Sequence, residues 1–73
     1  MSYDITVKAR FNAAKERIES FGRDKFLMYL PFEEDTDAEG ILKGILSKHL
    51  GVPTPRIELK RITFNKDWVF QVS

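Results

Sequence analysis

From Tyr3 to Phe11 the chain alternates: Ile5, Val7, Ala9 and Phe11 are apolar, and Asp4, Thr6, Lys8 and Arg10 between them are polar. That period of two predicts a first strand with one wet face. In "NAAKERIESFG" the residues Ala13 to Glu16 favour helix, but the segment is short and Gly22 stops it, so we read a turn at Asn12 and a second strand around Arg17 to Phe21. "KFLMYLPF" is apolar on both parities, which predicts a third strand near the sheet centre, the most buried of all, ended by Pro31 because proline lacks the ladder donor. The period then changes. Ala38, Ile41, Leu42, Ile45, Leu46, His49 and Leu50 recur at steps of three and four and predict a helix over 37–50 with one broad apolar face. Thr36 and Glu39 have capping-box spacing, Asp37 falls in the first turn, and Gly51 followed by Pro53 marks the exit. "PRIELKRITF" and "DWVFQV" predict two more strands, with Ile57 and Leu59 inward on one and Trp68, Phe70 and Val72 inward on the other. The order β-β-β-α-β-β predicts an α+β fold: a single two-layer domain over 1–73, with one helix packed on one face of a mixed sheet.

Composition narrows the chemistry more than it names a function. At 73 residues, 42% of them hydrophobic, the core must draw on nearly every apolar side chain. There is no cysteine, which excludes disulfides, thiol nucleophiles and thiolate zinc sites. Twelve Lys and Arg against eleven Asp and Glu leave a net charge of +1, so any basic character is local. The N-terminal stretch lacks the apolar core of a signal peptide, and no apolar run approaches the roughly 18 residues that span a bilayer. A soluble, cytoplasmic protein is the expectation.

Three sharper readings lose to plainer ones. Asp35, Asp37, Glu39 and Gly40 imitate the start of a calcium loop, but the twelfth position, where a bidentate Glu is needed, is Leu46. Capping and helix-dipole roles explain the same acids, and no metal or cofactor is expected. His49 is the only histidine, with no cysteine to pair with, and Ser20 and Ser47 stand in no supporting motif. We expect a partly buried packing histidine near the helix C-terminus, and no enzyme.

The second half resembles the YggU-like family of small uncharacterised α/β proteins. Asp35, Ala38, Leu42, Leu46 and Lys48 stand at matching places, "LGVP" is Leu50 to Pro53, "IEL" is Ile57 to Leu59, and the match runs from Asp35 to Val72 without a gap. "VKARFNAAKERIE" resembles that family's first strand and Lys-rich turn. Where the family has Gly-Lys-Ala-Asn this chain has Thr36-Asp37-Ala38-Glu39, and where it has Gly, Ser-Arg and Lys there are Ile62, Asn65-Lys66 and Trp68. Acids at the helix start repel the anion that the family's lysine would attract. The chain also stops after strand five, where the family adds a closing helix, so open apolar surface is expected. "VKARF", "YLP" and the helix that follows are similar to the ubiquitin-like β-grasp sulfur carriers as well, but the ending "FQVS" replaces the Gly-Gly through which those proteins react.

Two surfaces remain. Alternation puts Lys8, Arg10, Arg17, Lys60, Leu27, Tyr29 and Val69 on the sheet face away from the helix, with Glu19 and Glu58 near enough to neutralise some of the charge. Gly40, Gly44 and Ser47 form a small-residue stripe on the helix, opposite its apolar face, although helix-interior glycine costs about 1 kcal/mol relative to alanine. The expected function is a non-enzymatic interaction module that binds protein, self or partner, through the open face or the stripe. The alternative occupant of the open face is single-stranded nucleic acid, whose phosphates need Lys or Arg and whose bases stack on rings.

Overall fold

The computed structural model describes residues 2–34 and 37–73. Five strands form one sheet: β1 (Tyr3–Arg10), β2 (Arg17–Gly22), β3 (Lys25–Tyr29), β4 (Ile57–Ile62) and β5 (Asp67–Val72). The helix α1 spans Ala38–Leu50, and a single 3-10 turn at Thr54–Arg56 leads into β4. Across the sheet the strands run β2-β3-β1-β5-β4. β1 is parallel to β3, and the β1–β5, β2–β3 and β4–β5 pairs are antiparallel, so the sheet is mixed as the element order predicted.

Burial follows this order. β5 lies between β1 and β4, and its consecutive Trp68, Val69 and Phe70 are all buried. β3, expected to be the most buried strand, instead sits one place from the edge and buries only Phe26 and Met28, with Leu30 buried just beyond it. Its double-parity hydrophobicity has a different cause: Leu27 and Tyr29 are half-buried on the face without a helix.

The helix begins at Ala38 with Asp37 as N-cap, one residue later than the periodicity suggested, and the Asp37 carbonyl accepts the Ile41 amide at 3.0 Å. The proposed capping partner Thr36, like Asp35, lies outside the described residues; Glu39 pairs with Lys43 one turn on, at 3.0 Å. Gly51 takes the left-handed conformation (φ 71°), and the amides of Gly51 and Val52 both donate to the Ser47 carbonyl, closing the helix as the Gly-Val-Pro exit implied. Ala38, Leu42 and Leu46 are fully buried against Ile5, Val7, Met28, Ile57 and Phe70 in one core. Ile41 and Ile45 are only half-buried. His49, expected to be partly buried, is exposed, with its ring edge-on to Phe26 at 5.4 Å. The narrower stripe has a simple cause: a lone helix touches a sheet along one line, and its flanks stand clear.

A Cβ added at Gly40 or Gly44 would meet no atom within 4 Å. No neighbour in the fold therefore requires these glycines, and Gly44→Ala should raise stability by about 1 kcal/mol, read from the urea midpoint. A loss of stability instead would mean that the small-residue stripe has a packing role.

Candidate functional site

Because Ile5, Val7, Phe26, Met28, Trp68 and Phe70 point to the helix, their strand neighbours point to the opposite face. The register arranges those neighbours in rows across the strands. Arg17, Tyr29 and Arg10 form the row at one end, with Glu19, Leu27, Lys8 and Asp67 next to them and Lys25, Thr6, Val69 and Arg61 beyond. The Arg17 guanidinium lies 5.9 Å from the centre of the Tyr29 ring, in cation–π range, and it also pairs with Glu19. Lys8 pairs with Asp67 at 3.9 Å, and Lys60 with Asp4 at 3.4 Å rather than with Glu58. All the ion pairs have solvent-exposed members, so each contributes little to stability. Their main effect is to leave Arg10, Lys25 and Arg61 as the cations of this face without an ion-pair partner among the described residues.

A bulge changes one edge of this surface. Strict alternation from Ile57 and Leu59 would turn Arg61 toward the helix, but the register shifts between Leu59 and Arg61, pairing Arg61 with Val69 and Ile62 with Trp68. The extra residue therefore gives the open face two adjacent cations, Lys60 and Arg61. Val69, expected to offer apolar contact there, is only 4% exposed. It lies on the open face between its cross-strand neighbours Thr6 and Arg61, buried there and outside the core cluster beneath the helix. Leu27 and Tyr29 remain as the half-exposed apolar part of the face.

Two hollows flank Arg10 at the same end of the sheet. One, about 300 Å³, is lined by Ala13, Ala14, Lys15, Arg17 and Tyr29. Its floor is held in place: the Asn12 amide donates to the Phe32 carbonyl at 2.8 Å, the Ala13 amide to Leu30 at 2.9 Å, and Phe11 meets Phe32 edge-to-face. Asn12 supplies the left-handed turn (φ 59°) that this path requires, a conformation asparagine tolerates well. The other hollow, about 170 Å³, is lined by Lys8, Ala9, Arg10, Asn65, Lys66 and Asp67. Among the described residues, the open-face rows at this end carry Lys8, Arg10 and Arg17 against Glu19 and Asp67, and the flanking loops add Lys15 beside Glu16 on one side and Lys66 on the other.

The helix stripe is less distinctive. Gly40 is exposed, Ser47 uses its hydroxyl on the Val52 carbonyl at 2.5 Å, and Gly44 borders a groove of about 440 Å³ with Glu16, Ile18, Ile41, Ile45, Lys48 and His49. The stripe is thus split between solvent, the helix exit and a groove beside β2. Among the described residues, no three His, Asp or Glu side chains converge as a metal site would need, and no helix is long and apolar enough to cross a membrane. The chain matches no protein-family model and has no significant match among solved structures.

Sequence reasoning brought Lys8, Arg10, Arg17, Leu27, Tyr29 and Lys60 to this face and missed Ala13, Ala14, Lys15, Arg61 and Lys66. The lysines of these turns were visible in the chain, but nothing local says that the 11–16 loop and the β4–β5 turn meet the same end of the sheet. Since Val69 is buried on the open face, Val69→Ala should cost about 1.5 kcal/mol in urea unfolding, the loss of two buried methyl groups. A change within about 0.5 kcal/mol would return it to the surface.

Proposed function

We propose that this chain is a non-enzymatic cytoplasmic binding module, a divergent relative of the YggU-like family, whose open sheet face holds single-stranded nucleic acid across its cation-rich end. The observation that carries this reading is Tyr29 standing in register between Arg10 and Arg17 on neighbouring strands and bordering a hollow lined also by Ala13 and Ala14. Such a hollow suits a flat base: a ring to stack on, apolar floor beneath, and guanidinium groups beside it for the flanking phosphates. Among the described residues Arg10 and Arg61 have no internal ion pair to break before taking a phosphate. Protein as the occupant of this same face is supported less well, because interface cores are depleted in charge and enriched in apolar contact, and burial of Val69 removes one of the three apolar groups on which that reading rested.

A second reading, docking of protein to the helix side, is favoured by one observation. The groove between α1 and β2 exposes Ile18, Ile41 and Ile45 to solvent beside Gly44, where a backbone could approach closely. Molecular mass in solution separates the two: a salt-insensitive dimer supports the groove, and a monomer that shifts single strands supports the sheet.

With a labelled oligo-dT, affinity should fall steeply as salt rises. Tyr29→Ala should weaken binding by roughly 5- to 150-fold, the worth of one stacked base, and Arg61→Ala should lower the salt slope by about one. Binding that is unchanged in both variants would remove the sheet face from consideration.

A further inference from the structure

At the end of the sheet the β4–β5 connection is a tight, closed turn. The Lys66 amide donates to the Thr63 carbonyl at 2.8 Å, the Thr63 amide to the Asp67 carbonyl at 2.8 Å, and the Asp67 amide to the Thr63 hydroxyl at 3.1 Å. Lys66 takes the left-handed conformation (φ 63°) that closes such a turn, at some cost for a residue with a Cβ. Phe64 sits at the tip, 102% exposed, more fully than any other large hydrophobic residue described. A turn this constrained fixes the backbone beneath the ring, so the ring cannot be drawn into the core. Polar residues are the usual occupants of a tip like this, and a bare aromatic ring there has no structural use within the chain.

Two residues on, Lys66 joins Lys8 and Arg10 around the smaller hollow, with the Asn65 side chain beside them. Asp67 is the one carboxylate in the lining, and it already faces Lys8, so the three cations leave a local positive excess of two. Three donors of that kind around a small polar hollow match a phosphate group, which accepts hydrogen bonds on several oxygens at once. A π face on this turn and a phosphate seat that the turn shares with the end of β1 match the two chemically distinct parts of a nucleotide.

We propose that the Thr63–Asp67 turn is a nucleotide clamp: Lys8, Arg10 and Lys66 hold one phosphate of a single strand, and Phe64 stacks on the adjoining base. This inference rests on the reading of the open face as a nucleic-acid platform and adds a path across it. The strand runs across the strand ends, from the Tyr29 hollow over Arg10 to the β4–β5 turn, a distance of about 14 Å counted as three strand spacings. Arg10 lies between the two hollows and touches the phosphate that links them. An anionic membrane surface would also attract lysines and a phenylalanine, but a single ring inserts little apolar area, and the cations here surround a hollow instead of spreading over a plane.

The test is anisotropy of a labelled oligo-dT of about twelve nucleotides, within the usual span of a single-strand site, over a range of salt. Phe64→Ala should weaken binding by roughly 5- to 150-fold and leave the salt slope unchanged, because a stack carries no counterion. Lys66→Asn, chosen because asparagine accepts the left-handed backbone, should lower the slope by about one. Both positions are exposed, so melting temperatures should match the parent protein and a folding defect would show at once. If both variants bind as the parent does while Tyr29→Ala still weakens binding, the clamp is wrong and the platform stands. Failure of the parent protein to bind oligo-dT sinks both. Displacement of the strand by low concentrations of inorganic phosphate, with Phe64→Ala indistinguishable from the parent, would overturn the clamp in favour of a free-anion site. Binding to phosphatidylserine vesicles without binding to oligo-dT would overturn it in favour of a lipid surface.

Discussion

One contact line holds this small domain together: Ala38, Leu42 and Leu46 of the helix laid on the inner side of the sheet, over Ile5, Val7, Met28, Ile57 and Phe70. With no disulfide and, among the described residues, ion pairs that each have at least one exposed member, little else is available to offset chain entropy, and each leucine fully withdrawn from water contributes about 1.5–3 kcal/mol. A single helix has one such line to offer. The edge strand β2 is therefore left partly uncovered, which is why Ile18 and Ile45 pack only against the rim of the core and, with Ile41, line an open groove.

The same constraint shapes the opposite face. No second layer covers it, so it must be stable in water, and the chain achieves this with long amphipathic side chains rather than with apolar ones. Lysine and arginine stems can lie over backbone and over Val69 while their heads stay wet. The bulge in β4 adds to this by placing Lys60 and Arg61 side by side at the edge, where two adjacent charges also discourage another strand from pairing. A face built this way for solubility is cationic wherever the acids are fewer than the bases. At the end marked by Arg17, Tyr29 and Arg10 they are.

Connectivity decides which end that is. β1 and β3 run parallel, so the chain leaving β1 must cross to the outer strand β2 before β3 can return beside it. That crossing is the 11–16 loop, pinned to the residues after β3 by the Asn12 and Ala13 amides. The β4–β5 turn closes at the same end because β5 is antiparallel to β1. Two connections, each carrying a lysine, thus flank the row of ring and guanidinium groups, and the functional proposals depend on that meeting.

Local sequence determined the element types and their order. A period of two in β1, a period near 3.6 from Ala38 to Leu50 and the glycine-proline exit each reflect forces acting within one element, and such forces need no knowledge of the rest of the chain. Tertiary structure decided what those patterns leave open. β3 is apolar on both parities yet lies off-centre, because hydrophobicity reports burial without saying which neighbour supplies it. Val69 is buried on the open face by its neighbours across the strands, and Arg61 changed faces through a bulge that no single strand encodes, since register belongs to a pair of strands. His49 lies at the right spacing for the apolar stripe and is nonetheless exposed, because the width of the stripe is set by the surface it meets. The candidate site is legible in the chain as separate basic and aromatic residues, and only the strand order β2-β3-β1-β5-β4 brings them to one place.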